Sequence, residues 1–384
     1  MARIVVNRPK EAEKFGRIGL ISAFEAHGPQ MNRILRTLLV PAALAAASAV
    51  QAQPGPLERL PVDVLDAMAP SERVSGAPGR IAVEDGACRN LPREQVRRRI
   101  VDLAIQEWGY FGFTTVDETA PGYENRRRRQ PGEPRRRRVN PEEAARVVHS
   151  IAGYWSVTPD GSWILERQNR IWRASSGALE RWRDPWSAAF ISWVMCEGGL
   201  SESTEFQRAI AHYVYIDQAI EARDGKFSEA AFVAHEVGET AVEPGDLLCR
   251  GRRGSYSTVA ERREDLGEGT RSHCDVVVKL DAENDRILVI GGNVRSSVRL
   301  KFLPARLDTD GPADVYASIG RGSRAVFAHL KLQAPAIGND AFETSPTIKA
   351  LSADPGSLRS LQQRLVENSQ PAATRSASQP AGGG

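Results

Sequence analysis

Asp184-Pro185-Trp186-Ser187-Ala188-Ala189-Phe190-Ile191-Ser192-Trp193 is the stretch on which the reading of this chain turns. Asp184 offers an N-cap and Pro185 a first helical residue, two signals that open a helix. Ala188, Ile191 and Met195, with Phe190 and Val194, then supply an apolar face, and Gly198-Gly199 ends it. Ser187 therefore falls on the first turn. Free backbone N–H groups and the positive end of the helix dipole stabilise a developing anion at that point. A thiol placed there ionises readily, whereas a hydroxyl needs a base in direct contact.

Candidates for that base lie downstream, where the hydrophobic period changes to that of strands. Pro244-Gly245-Asp246-Leu247-Leu248-Cys249 enters one strand. A second begins Ser272-His273-Cys274-Asp275 and runs to Leu280. A third spans Arg286–Ile290 and ends in Gly291-Gly292-Asn293, with Asp281–Asp285 as the turn between them. Val298–Leu303 and Ala325–Leu332 supply later strands. His273 is the candidate general base, and Asn293 is the candidate to orient its imidazole and fix the tautomer. Asp275 shares a strand face with His273 and is the rival orienter. Trp186, Trp193 and Tyr213 are candidates to line a substrate groove. Each of these residues also has a plain structural reading: Ser and Asp cap helices, and Gly-Gly-Asn makes turns.

Upstream the pattern is helical. Val96, Ile100, Leu103, Ala104 and Trp108 recur at three- and four-residue steps between Pro92 and Phe113. Asn140-Pro141-Glu142-Glu143 opens a further helix to about Tyr154, and Ser203–Arg223 reads as another. His212, on that last helix, reads as a packing or lining residue. His149 and His235 have no evident partner. Helices first and then a run of antiparallel strands is an α+β arrangement.

Taken together, four motifs carry a resemblance. Trp186-Ser187-Ala188-Ala189-Phe190-Ile191 is similar to the Trp-Cys-Ala-Ala-Phe-Val motif of NlpC-type and CHAP-type cell-wall hydrolases, with serine in place of cysteine. Pro244-Gly245-Asp246-Leu247 resembles their strand entry, His273 with Val276-Val277-Val278 their catalytic strand, and Gly291-Gly292-Asn293 the strand end that carries their third polar residue. The serine version, with Leu248-Cys249 and His273-Cys274-Asp275, resembles domain-of-unknown-function family 2272 over roughly residues 92–332. The resemblance implies a papain-like fold, with N-terminal helices packed on a small antiparallel sheet or half-barrel, and a peptidoglycan context. It implies a hydrolase acting on an amide or ester of peptidoglycan or an attached polymer through Ser187, His273 and Asn293. The alternative is an inactive papain-like module that binds the cell wall.

From Met31 the chain reads as a basic n-region, an apolar run from Thr37 to Val50 and a small residue before a cut after Ala52. A signal peptide over 31–52 is therefore expected, with residues 1–30 as a misassigned upstream extension and a periplasmic or secreted product. The apolar run is too short to leave a stable membrane span. In an oxidising compartment four cysteines allow three full pairings. Cys249 and Cys274, on neighbouring predicted strands, are the expected pair, and Cys196 is expected to be a buried apolar residue. Thiol chemistry at Cys274 would require it to be free.

Residues 53–91 read as a linker and 333–384 as a disordered tail with a helix at Leu358–Glu367. The insertion 118–141 carries two arginine blocks, Arg126–Arg129 and Arg135–Arg138, without apolar periodicity. Such a charge run attracts polyanions. In an exported protein that points to an anionic envelope polymer such as peptidoglycan, or to lipid headgroups, and away from nucleic acid. No C-x-x-C pair or metal triad emerges, so neither a cofactor nor a metal is expected.

Overall fold

The computed structural model describes residues 56–120, 123, 141–175, 182–252, 255–307 and 325–352. These all belong to one compact unit, Gln51–Gly384. The expected signal peptide, both arginine blocks and the helix expected at Leu358–Glu367 lie outside the described residues. In chain order the elements begin with α1 (Val62–Leu65), β1 (Val74–Ser75), β2 (Ala82–Val83), α2 (Arg93–Tyr110) and β3 (Thr115–Asp117). Then come α3 (Pro141–Ser156), α4 (Gly161–Ala174), α5 (Ser187–Glu197), α6 (Tyr213–Arg223), β4 (Phe232–His235), β5 (Leu247–Gly251) and α7 (Val259–Glu264). The remainder are β6 (Ser272–Asp281), β7 (Arg286–Val294), β8 (Ser297–Pro304), β9 (Val326–Leu332) and α8 (Pro346–Leu351).

The fold is α+β. Its main sheet has seven strands in the order β3-β8-β7-β6-β5-β9-β4. Every neighbouring pair is antiparallel except β3 with β8, which is parallel. The sheet is therefore larger than the small antiparallel one expected, and mixed. Two short edge strands escaped the reading: β3 has only three residues and β4 only four, too few to show a period.

Side-chain alternation divides the sheet's burial between two cores. Leu247, Cys249, Val276, Val278, Leu288 and Ile290 face the main core with the helices. Leu248, Val277, Ile287, Val289 and Leu303 fill a second, smaller one. Burial on both faces accounts for the unbroken apolar runs Leu247–Cys249 in β5, Val276–Val278 in β6 and Ile287–Ile290 in β7.

Helix α5 lies at the centre, with all its residues buried. Trp186, just before it, stacks on Tyr154 of α3 and packs near Phe111 beyond α2. Trp193 packs against the same Tyr154. Burying each such ring contributes up to about 3 kcal/mol.

The stretch 53–91 is not a linker where it is described. Leu65, Val74 and Ile81 are buried in the main core. Arg59 pairs with buried Glu107, Nε to Oε1 at 2.6 Å. A Cβ on Gly153 of α3 would lie 1.7 Å from the Pro70 carbonyl oxygen, so the two backbones are in direct contact. The tail assignment needs the same correction. Ser345 caps α8 by accepting a bond from Ile348 N, and Ile348 and Leu351 are buried in the main core.

Helix α6 begins at Tyr213 rather than Ser203. The ten residues before it are held open by side chains. Gln218 accepts from Gln207 N at 2.7 Å and donates to the Ser203 and Thr204 carbonyls. Ser192 of α5 accepts from Ala209 N at 3.0 Å. Satisfying these backbone groups from outside removes the need for a helical ladder. It also leaves His212 at the start of α6, directed at the start of α5.

Candidate functional site

Ser187 is the first residue of α5 and is 4% exposed. Its Oγ lies 2.8 Å from Nε2 of His212, which is equally buried. The other nitrogen of His212, Nδ1, accepts the backbone N–H of Cys274 at 3.2 Å and also meets the hydroxyl of Tyr215. The His212 and His273 rings meet edge to face with centroids 5.1 Å apart. His212 therefore touches both the candidate nucleophile and the strand that carries the candidate base. Its presence was not legible in spacing alone, because a histidine before an apolar helix usually packs.

His273 Nε2 lies 3.0 Å from Asp275 Oδ1. The second oxygen of Asp275 receives the Lys301 ammonium from β8. Arg250 of β5 pairs with Glu118 at 3.0 Å alongside. All five groups are buried or nearly so, and two carboxylates stand against two cations. This balance makes interior charge tolerable.

Burial pushes the Asp275 carboxyl up, but Lys301 and His273, its nearest opposing groups, outweigh burial and hold it well below the usual carboxylate range. Burial pushes the His273 imidazole down, and the neighbouring Asp275 only partly restores it. Burial, then the charge of His273, pushes His212 well below 6.5. Both imidazoles are thus neutral near neutral pH.

An ionised carboxylate only accepts hydrogen bonds, so His273 carries its proton on Nε2. Its Nδ1 is then an unprotonated lone pair. That nitrogen is buried and has no partner among the described residues. A buried acceptor without a donor is costly and marks a place where another group belongs.

Gly291 makes room for this pair. A Cβ there would lie 1.9 Å from Asp275 Oδ1 and 3.1 Å from His273 Nε2. The next residue, Gly292, faces Phe190 of α5, where a Cβ would fall 2.5 Å from the Phe190 Cβ. Asn293 follows with φ +55° in an irregular stretch of the β7–β8 ladder and is half-buried. Among the described residues no hydrogen bond joins Asn293 to His273; the imidazole bonds Asp275 instead. Nor does a hydrogen bond join Ser187 directly to His273; His212 stands beside both.

The expected groove residues are placed differently from one another. Trp186 and Trp193 are buried in the core at 2% and 0% exposure, so neither presents a face to a groove. Aromatic residues flanking a buried helix start resemble groove walls in sequence but serve here as its seat. Tyr213 is half-buried, with the Arg262 guanidinium 5.6 Å from its ring centre.

All four cysteines are bonded. Cys249 pairs with Cys274 across the β5–β6 ladder, as expected. Cys196 pairs with Cys88 rather than standing alone as an apolar residue. Its partner lies in the segment read as a linker, which concealed the pairing. Cys274 is accordingly not a free nucleophile. Among the described residues no group of three or more metal-ligating side chains is placed to hold a metal ion. No helix among them is long and apolar enough to cross a membrane.

No curated protein and no solved structure matches the chain. One comparison does identify a relationship, and it covers α3 through β8, including Ser187, His212, His273, Asp275, Gly291 and Lys301. Residues 142–314 match the model of the family described as "Uncharacterized protein conserved in bacteria (DUF2272)".

Proposed function

We propose that the chain is a serine hydrolase of papain-like layout that transfers an acyl group to water, with Ser187 as nucleophile, His273 as base and Asp275 as orienter. The observation that carries this reading is the unpartnered Nδ1 of His273, whose Nε2 is held by Asp275 and whose ring meets that of His212, the partner of Ser187. His212 lies nearer, but its lone pair at Nδ1 is turned to Cys274 N. It therefore cannot serve as base.

In the first step the Ser187 hydroxyl proton passes to His273 Nδ1 while Oγ bonds to the acyl carbon. The carbonyl electron pair moves onto oxygen, where the N-terminal amides of α5 are positioned to receive it. Collapse expels the leaving group, which takes the proton back from His273. Water, activated by the same nitrogen, then releases the acyl group and regenerates Ser187. The reaction requires Nδ1 to come within hydrogen-bond reach of Oγ, a contact that catalytic groups often make only in the substrate complex.

The resemblance to cell-wall hydrolases points to an amide or ester of peptidoglycan or an attached anionic polymer. Two disulfides suit the oxidising periplasm or exterior that such a substrate implies. A fluorophosphonate probe is expected to label the protein, and Ser187→Ala to abolish labelling. Absence of labelling together with no turnover of peptidoglycan fragments would overturn the proposal.

A second reading is favoured by the burial of Ser187, whose oxygen is already bonded. On that reading the chain is an inactive module that binds the wall. It would sediment with purified cell wall, indifferent to Ser187→Ala.

A further inference from the structure

A serine at this helix start poses a chemical problem, because its hydroxyl is far harder to ionise than a thiol. The surroundings of His212 contain an answer. A backbone N–H can only donate, and Cys274 N–H is aimed at His212 Nδ1 at 3.2 Å. Nδ1 therefore bears no proton. The Tyr215 hydroxyl at the same nitrogen must likewise donate to it. A neutral imidazole carries one N–H, so the proton sits on Nε2, the atom 2.8 Å from Ser187 Oγ. The serine oxygen is the acceptor in that bond, and its own proton is left free to go elsewhere.

We infer that His212 is a second catalytic histidine of opposite role to His273: a fixed Nε2–H donor that stabilises the charge gathering on Ser187 Oγ as it is deprotonated. This role rests on the hydrolase reading, whereas the tautomer rests on hydrogen-bond geometry alone. His212 keeps its proton throughout the reaction. The proton leaving Ser187 goes to His273 Nδ1, and the electron pair it leaves on Oγ forms the bond to the acyl carbon. Until that bond is complete, His212 Nε2–H stabilises the charge on Oγ. The two imidazoles divide the task, one withdrawing a proton and the other stabilising what remains. Tyr215 and Cys274 N, both donors to Nδ1, polarise the ring so that Nε2–H donates more strongly.

Two measurements test this on the full chain. The first is the ¹⁵N spectrum of the histidine side chains near neutral pH. His212 is expected to show a protonated Nε2 and a bare Nδ1, and a protonated Nδ1 would overturn the inference whether or not the protein is an enzyme. The second is the rate of fluorophosphonate labelling in two variants. His212→Gln keeps a donor for Oγ and an acceptor for Cys274 N but cannot act as a base, whereas His212→Leu keeps neither. Leu is expected to slow labelling about 10²-fold, the cost of losing one donor to a developing oxyanion, and Gln to stay within about tenfold of wild type.

Labelling as slow with Gln as with Leu would make His212 a base and overturn its assignment as donor. Wild type that never labels, with the tautomer in place, would overturn the hydrolase reading and the catalytic role together. His273→Gln serves as the control for a true base and is expected to abolish labelling.

Discussion

Nε2 of His273 and Oδ1 of Asp275 are 3.0 Å apart on alternate residues of one strand, so the proposed base and its proposed orienter are held by the same backbone. Asp275→Asn preserves the shape but offers an amide donor, which favours the proton on Nδ1 and removes the lone pair the proposed base needs. Fluorophosphonate labelling is expected to fall by about 10²–10⁴-fold, the scale seen when an orienting carboxylate is lost. Asn293→Ala, by contrast, is expected to change the rate by less than about twofold, the effect of a residue outside the hydrogen-bonded set. Equal losses at both positions would return Asn293 to the catalytic set.

Gly291 is a position where a single methyl group should disturb the site directly. Its Cβ would overlap Asp275 Oδ1, and Lys301 prevents that carboxylate from retreating. Gly291→Ala is expected to cost about 1–3 kcal/mol of stability, as overpacking does. It should also reduce labelling at temperatures where the chain remains folded. Chemical unfolding followed by circular dichroism measures the first effect, and an unchanged midpoint would count against the contact.

The two disulfides should separate stability from activity. Cys88–Cys196 closes 108 residues and Cys249–Cys274 closes 25. By loop-closure entropy the longer one contributes about 1 kcal/mol more. Replacing Cys88 and Cys196 by Ser is therefore expected to lower the unfolding midpoint further but leave labelling of the folded protein near its normal rate. Replacing Cys249 and Cys274 should lower the midpoint less and slow labelling, because Cys274 N–H is the donor that fixes His212. The reverse ranking in both assays would contradict this division.

Stability should fall as the medium is acidified through 6.5. Burial lowers His212 and His273 below that ordinary value, so just below it the unfolded chain binds more protons than the folded one. Stability then rises with pH across the window from their folded values up to 6.5 and is fully present above it. Asp102 acts with the opposite sign. Burial raises it from 3.8 to about 6, so its contribution is present below 3.8 and is lost as pH rises to about 6. Urea midpoints on either side of 6.5 should show the histidine effect, and His273→Gln should reduce it. A midpoint insensitive to pH there would mean that the imidazoles are not buried neutral.

Much of this site was legible in the sequence because its parts obey local rules. Asp184-Pro185 announces a helix, but it begins two residues later than that N-cap reading, with Trp186 as N-cap and Asp184 paired with Arg167. Ser187 still falls on the first turn, and the apolar runs Val276–Val278 and Ile287–Ile290 announce β6 and β7. The disulfide at Cys274 followed from the same strand reading. What escaped depends on contacts between residues distant in the chain. His212 acquires meaning only when the ten residues before α6 are pinned by Gln218 and Ser192. Asp275, not Asn293, bonds the His273 imidazole because Lys301 and Gly291, on two further strands, create the space and charge for a buried carboxylate. The segment before α2 lacks a strong period, yet it is anchored by Arg59 on Glu107 and by Arg73 on Glu197. Ion pairs across such separations leave no mark in a sequence window.

The contact between Gly153 and the Pro70 carbonyl has a practical consequence. Sequence comparison recognises a stretch that begins at residue 142, but that stretch alone would lack α2 and the belt that crosses α3. The Tyr154 hydroxyl would lose its partner Glu107, and Cys196 of α5 its disulfide to Cys88. The smallest piece that can be expected to stand by itself is accordingly much longer than the recognised one, and any truncation for crystallisation or assay should retain everything from Pro56 through Leu351.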